Sequence, residues 1–169
     1  AVNGFEQHVN PNFANDSQPG ATTLLYNFRS DYGSDPAGTP LINAINVQQR
    51  QRAREALELW GAHLGIQFVE TPNSGLTFAT GDMRVLDQAT SNVFDRVVGG
   101  VTQYEVRVDP TFTNSMLVMN VGVNWSDDFG GSWFNNVISA VGFMLGLGRA
   151  GDLPASTIMA LAGALPEPI

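Results

Sequence analysis

The stretch "SWFNNVISAVGFMLGLGRAGDLPASTIMA", Ser132 to Ala160, carries the strongest structural signals in the chain. Ser132 is one of the residue types that cap helix N-termini, and the apolar run after it predicts a helix to about Leu145. Gly146 stands where a glycine would break that helix. A turn-forming segment that contains Met159 follows. We therefore expect a helix, a glycine break and a methionine-containing turn, in that order.

Short runs rich in β-branched and aromatic residues precede this helix and predict strands. They are "ATTLLYNF" at 21–28, "IQFVET" at 66–71, "LTFAT" at 76–80, "GGVTQYEVRV" at 99–108 and "SMLVMNVGV" at 115–123. Turn formers in "RSDYGSDPAGTP", residues 29–40, predict a long loop instead. Residues 85–95 carry only a weak pattern. These runs together predict five strands.

A second helix is predicted upstream, over residues 46–64, "NVQQRQRAREALELWGAHL". Apolar residues recur there at helical spacing, namely Val47, Ala53, Leu57, Trp60 and Leu64. Gly65 suits a left-handed cap at the end of this helix. The order of elements predicts an α+β fold, in which a twisted mixed sheet of five strands packs against helices 46–64 and 132–145. A cleft is expected between the sheet edge and the second helix.

Composition narrows the functional classes. A chain of 169 residues suits a single domain, 1–169, in which residues 1–21 read as an irregular N-terminal arm. Sixteen acidic residues against eight arginines, with no lysine, give a net charge of -8, which argues against a nucleic-acid partner. No apolar run is long enough to predict membrane insertion. Without cysteine, the strong metal-ligand candidates are His8, His63 and the carboxylates.

The helix and turn of residues 132–160, with the elements before them, resemble the metzincin metalloproteases, especially the matrixin and serralysin-like branches. The active-site helix of that family carries HExxHxxGxxH, and a methionine-containing turn, the Met-turn, follows it. Aligned on "GFMLGLGR", residues 142–149, the first His falls on Ser139, the Glu on Ala140, the second His on Phe143 and the third His on Arg149. The glycine of the motif is retained as Gly146, and "STIMA" supplies Met159 for the turn. The resemblance implies a metzincin-like (zincin) fold over nearly the whole chain.

The replaced positions are the ones that carry the chemistry. In HExxH the two His lie one helical turn apart and hold zinc, and the Glu activates the zinc-bound water. The Ser139 hydroxyl is a poor zinc ligand, and Phe143 has no lone pair to donate. Ala140 cannot accept a proton, and Arg149 is a permanent cation that repels a divalent metal. The resemblance therefore implies a metal-free pseudoenzyme with no catalytic residues and no zinc cofactor.

The former metal site is expected to be an apolar and hydrogen-bonded plug. Phe143 would be its centre and Met159 would lie beneath it, because a thioether packs well against an aromatic ring. Arg149 should turn to solvent or pair with a carboxylate such as Asp152, because an isolated buried charge is costly.

Three further groups have both a functional and a structural interpretation. His63 lies near the end of the first helix, where a cation interacts favourably with the helix dipole, so a structural role is favoured. His8 lies in the arm and is favoured as a solvated residue. Asp127 and Asp128 in "NWSDDFGG" offer a weak calcium site, against the favoured solvated loop before a helix. Ser139 as a nucleophile would need a neighbouring base that the sequence does not mark, so a core or cleft-lining serine is favoured.

The predicted function is that of a catalytically inactive metzincin-like pseudoprotease domain, an interaction or structural module of a larger extracellular protein. The alternative is an active secreted hydrolase, related to the metalloendopeptidases, with a non-standard site. The remnant cleft would hold an extended peptide or protein that adds a strand to the sheet edge along residues 99–108. Because the chain opens at Ala1 and ends soon after Met159, we expect a segment covalently linked to neighbouring domains.

Overall fold

Eight strands and two α-helices are formed by the residues that the computed structural model describes, 22–89, 91–109 and 112–147. The strands are β1 (Thr23–Asn27), β2 (Asp31–Ser34), β3 (Pro40–Ile42), β4 (Gln67–Glu70), β5 (Leu76–Gly81), β6 (Val93–Val98), β7 (Val101–Arg107) and β8 (Met116–Asn120). The helices are α1 (Val47–Leu64) and α2 (Ser132–Gly142), with a 3-10 turn at Met83–Leu86 and a π-type turn at Phe143–Leu147. The predicted arm, His8, Arg149, Asp152 and Met159 lie outside the described residues.

Six of the strands form one mixed sheet in the order β4-β1-β5-β8-β7-β6. β4, β1, β5 and β8 pair in parallel, whereas β7 and β6 extend the sheet in antiparallel fashion. β2 and β3 form a separate antiparallel pair. The α+β class is confirmed, with a mixed sheet and two helices. The expected sheet of five strands is wrong, because β6 adds a sixth.

β6 escaped the sequence pattern because Asp95 and Arg96 interrupt its apolar run. It is joined to β7 by Gly99 and Gly100, whose φ angles of 56° and 77° are both positive. A two-residue hairpin turn of type I′ requires this combination, which glycine adopts without strain. As a result β7 pairs with β8 on one side and with β6 on the other. The expectation that residues 99–108 form an open sheet edge is therefore wrong.

Residues 29–40 were expected to form a loop, but they contain β2 and the start of β3. The turn formers lie between these two strands, and Tyr32 of β2 is almost fully buried. Its ring packs with Ala79 and Val118 on one face of the sheet, and its hydroxyl donates to the Asp82 carbonyl over 2.9 Å. Contact with the main sheet therefore stabilises a hairpin that its own sequence does not mark.

The opposite face of the sheet packs on both helices. Side chains alternate between the two faces along each strand, so every second residue points to the helices. The core on this side contains Tyr26, Phe78, Tyr104, Leu117 and Met119 from the strands, with Leu57, Trp133 and Val137 from the helices. α1 and α2 are also joined directly, because Trp60 Nε1 donates to the Ile138 carbonyl over 3.1 Å. None of the described helices is both long and apolar enough to cross a membrane.

The predicted helix at 46–64 is confirmed as α1 with its cap. Asn46 accepts from the Gln49 amide over 2.8 Å, and the Gln49 side chain accepts from the Asn46 amide over 3.3 Å. This reciprocal capping box satisfies backbone groups that the first helical turn leaves unpaired. Gly65 takes the predicted left-handed conformation at the C-terminus, with φ 70°.

The start and the end of α2 differ from the expectation of a helix capped by Ser132 and reaching Leu145. Gly131 is the N-cap residue, and Ser132 instead accepts from the Ser126 amide over 3.0 Å. Regular helix stops at Gly142, and the chain continues through the π-type turn. Gly146 has φ 88°, a conformation that breaks a helix, so its predicted structural role is confirmed.

Candidate functional site

The candidate site is the face of α2 that contains Ser139 and continues to Phe143, the C-cap residue one helical turn further on. Ser139 Oγ accepts a hydrogen bond from Arg96 Nη1 over 3.1 Å. Arg96 is 9% exposed and Ser139 is 3% exposed, so the contact is buried. An arginine of β6 thus reaches the position that the resemblance assigns to the first zinc ligand.

Phe143 meets the same strand. Its ring packs edge-on against Phe94, with the centroids 4.9 Å apart and the planes at 65°. Phe94 and Arg96 are two residues apart in β6, so they share one face of the strand. β6 therefore contacts α2 at both turns of the candidate face. Phe94 is thus a partner of Phe143 that the sequence analysis did not predict, and Met159, the expected partner, lies outside the described residues.

Tyr104 forms the floor of this contact. It is fully buried in β7 directly opposite Arg96, and its hydroxyl oxygen lies 3.5 Å from Ser139 Oγ. Neither partner suits Ser139 as a nucleophile, because a guanidinium has no lone pair to take a proton and a neutral phenol is a weak base. The geometry favours a core serine over a nucleophile, because Ser139 lies between the Arg96 guanidinium and the Tyr104 hydroxyl.

The residues at this face do not fit a zinc ion. Ser139 and Phe143 offer no imidazole, Ala140 is buried in the core, and the Arg96 guanidinium is a fixed positive charge beside Ser139. Across the described ranges, no cluster of three or more His, Cys, Asp or Glu side chains could hold a metal ion. Arg149, at the third ligand position, lies outside these ranges.

Asp127 has a role that neither sequence interpretation anticipated. Its Oδ2 accepts from Asn46 Nδ2 over 2.8 Å, and its Oδ1 accepts from Gln49 Nε2 over 2.9 Å. The carboxylate therefore binds the two residues that make the capping box of α1. It also places a negative charge at a helix N-terminus, where the dipole favours it. Asp128 is exposed, and its backbone carbonyl accepts from the Gly131 amide over 2.9 Å.

A buried polar chain extends this contact across the core. Trp133 Nε1 of α2 donates to Thr80 Oγ1 over 3.2 Å, and the Thr80 hydroxyl donates to Gln49 Oε1 over 2.9 Å. Gln49 then donates to Asp127. This chain, Trp133–Thr80–Gln49–Asp127, fixes both helices and the loop before α2 to the sheet. The bonded pairs in this chain are 31 to 78 residues apart in the sequence. No local sequence pattern could therefore predict the chain of hydrogen bonds.

The titratable side chains of α1 include His63, Arg54 and Glu58. His63 is exposed in the last turn of the helix. A groove of about 350 Å³ between α1 and β4 contains Arg54 and Glu58 and no residue of α2. In the same region, the Arg54 guanidinium holds the pKa of Glu70 below its usual value, through bonds of 2.7 and 3.0 Å.

Glu105 lies on the other face of β7. Burial raises the pKa of its carboxyl, and the negative charges of Asp87 and Asp95 raise it further. Glu105 is therefore a destabilising group whenever it is ionised.

Comparison with known proteins adds no relative. No protein-family model matches the chain, and no curated protein matches it at a significant level. The metzincin resemblance therefore rests on the residues of this chain alone.

Proposed function

We propose that this chain is a metzincin-like domain without a zinc site, which acts as an interaction or structural module rather than as a protease. The observation that carries the proposal is the hydrogen bond from Arg96 to Ser139. It brings a permanent cation next to Ser139, which the resemblance aligns with the first zinc ligand. Phe143, aligned with the second ligand, packs on Phe94.

The order of the described elements supports the same proposal. Strands β1 to β3, the long helix α1, five further strands and α2 follow one another, and Gly146 lies in the π-type turn after α2. The resemblance implies a strand, a long helix, several strands and a second helix in this order, and β2 and β3 are additional to it. The site positions have changed, whereas the elements that would position them remain. Such a fold can serve new functions, because a function resides in the site and not in the fold.

Electrostatics indicates how strongly Arg96 opposes a metal. Two unit charges 4 Å apart interact by about 4 kcal/mol at an effective dielectric of 20, so a divalent ion near the guanidinium would be repelled by about 8 kcal/mol. Structural zinc sites bind with about 10–16 kcal/mol. Repulsion of this size would offset about half or more of that free energy, even if the ligands were restored.

The experiment that tests the proposal compares three purified proteins for zinc content and chelator sensitivity. The wild type should contain no stoichiometric zinc, cleave no casein-like substrate and keep its melting temperature in chelator. The variant with Ser139→His, Ala140→Glu, Phe143→His and Arg149→His should also fail to bind zinc. Adding Arg96→Ser to these four changes should allow zinc binding. One zinc per wild-type chain would overturn the proposal, and failure of the fivefold variant would count against a metzincin-like site geometry.

The partner and the location belong to the same proposal and rest on the family resemblance. We place the domain outside the cell, linked to neighbouring domains, with an extended peptide or protein as its partner. Since β7 is paired on both sides, a peptide that adds a strand would do so at β6, whose outer edge pairs with no strand in the described ranges. Val97 and Val98 are exposed in that strand.

A further inference from the structure

A polar cavity of about 190 Å³ lies at the ends of β1, β5, β7 and β8. Two arginines line it, Arg29 just after β1 and Arg107 at the last position of β7. The other described lining residues are a glycine and residues with hydroxyl or amide side chains, among them Ser74 and Thr113, and none of the described lining residues is a carboxylate. Arg107 is three residues beyond Tyr104, so it points to the opposite face of β7 and the cavity is separate from the α2 site.

Neither guanidinium group belongs to an ion pair among the described residues. Arg29 Nε is buried and has no hydrogen-bond partner in the same part of the chain. Arg107 is fixed in place, because its Nε and Nη2 both donate to the Asn114 carbonyl over 3.0 and 2.9 Å. The ion pairs formed by the described residues use three other arginines, Arg52, Arg54 and Arg84.

We propose that this cavity, the Arg29–Arg107 pocket, binds a small oxyanion, either inorganic phosphate or the carboxylate of a small acid. A planar guanidinium matches both groups, because its parallel N–H bonds can reach two oxygens at once. The cavity volume of about 190 Å³ far exceeds the roughly 10–15 Å³ that one water molecule needs. The cavity therefore has room for an ion as large as phosphate or acetate.

The acidic character of the whole chain does not oppose a local site of this kind. The net charge of -8 acts over the surface, and salt screens it beyond about 8 Å at physiological ionic strength. The carboxylate of the adjoining loop, Asp109, accepts from the Asn114 amide over 3.1 Å. It is bonded within its own loop and does not line the cavity.

The test is titration of the ¹⁵N-labelled protein with sodium phosphate and, separately, with sodium acetate, at constant ionic strength set by chloride. We expect saturable chemical-shift changes for at least one anion, centred on residues 29, 73–77, 107 and 113–115. A melting-temperature shift would not suffice, because phosphate stabilises folded proteins without binding a site. Saturation by only one of the two anions shows whether the pocket prefers phosphate or a carboxylate. Either result supports the proposed anion site. No saturable change with either anion would overturn it.

Two variants and a control complete the test. Arg29→Gln removes one of the two guanidinium groups that line the cavity and should weaken binding at least tenfold. Arg29→Lys keeps the positive charge but not the planar guanidinium, and it should weaken binding severalfold. This second variant keeps the proposal testable if Arg29→Gln does not fold. Arg84→Gln is the matched control, because this arginine is exposed and paired with Asp82. Equal affinity in Arg29→Lys and the wild type would contradict the proposed geometry.

Discussion

Arg96 Nη1 donates to Ser139 Oγ over 3.1 Å, and this buried bond joins a strand to a helix 43 residues further along the chain. Phe94 and Phe143 make the second contact between the same two elements. The outermost strand of the sheet, β6, is thereby held against α2 at the positions where the resemblance would place zinc ligands.

Ser139→Ala should lower the free energy of unfolding by about 1–3 kcal/mol, because it leaves the buried Arg96 guanidinium without its acceptor. Replacing both residues, with Arg96→Met added, should recover much of that loss, since two apolar side chains leave no unpaired polar group. Urea unfolding of the single and double variants measures the difference. A double variant that is less stable than Ser139→Ala would contradict this account of the contact.

Asp127→Ala should destabilise the protein by about 1–3 kcal/mol, because it removes the acceptor of two amide donors at the N-terminus of α1. Asp128→Ala is the matched control, and it should change stability little because this side chain is exposed. Both variants are compared by urea unfolding with and without calcium. A calcium-dependent stabilisation of the wild type that Asp127→Ala abolishes would instead support the calcium site.

Glu105 should make the protein less stable as the pH rises. Its folded-state pKa is raised, so the folded protein holds this proton more tightly than the unfolded chain does. The resulting stabilisation is complete below the unfolded pKa of about 4.3 and is lost as the pH rises through the folded value. Glu105→Gln should remove this loss in unfolding free energies measured from pH 4 upward.

Glu70→Gln is the informative comparison for that experiment. The pKa of Glu70 is lowered by hydrogen bonds from Arg54, so its stabilisation is present above the unfolded pKa and is lost as the pH falls. The two substitutions should therefore change the slope of stability against pH in opposite directions. Slopes that change in the same direction would contradict the assigned causes.

The turn between β6 and β7 should tolerate asparagine better than a β-branched residue. Gly99→Asn creates the Asn-Gly pair that type I′ turns favour, so stability should change little. Gly99→Val should cost at least about 1–2 kcal/mol, because an L-residue with a Cβ is strained at positive φ. Hydrogen exchange of the β7 amides reports the loosening of β6. Equal protection in the two variants would argue against this turn geometry.

Local patterns in the sequence were sufficient to predict most of the helices and strands. α1 is marked by its apolar spacing and by Gly65, and all five predicted strands form at the β-branched runs that predicted them. The glycine break at Gly146 also follows from the sequence, because only the conformation of that residue is involved. Each of these features depends on neighbours within a few residues, so a short window contains its cause.

Only the tertiary structure decided what surrounds the candidate site. β6 was missed because its inward-facing residue is Arg96, a charge that becomes acceptable in the interior through Ser139. The interior position of β7 depends in turn on β6, and the role of Asp127 depends on partners 78 and 81 residues away. A buried polar group is stable only when a partner satisfies it, and that partner is supplied by the folded chain and not by the neighbouring sequence.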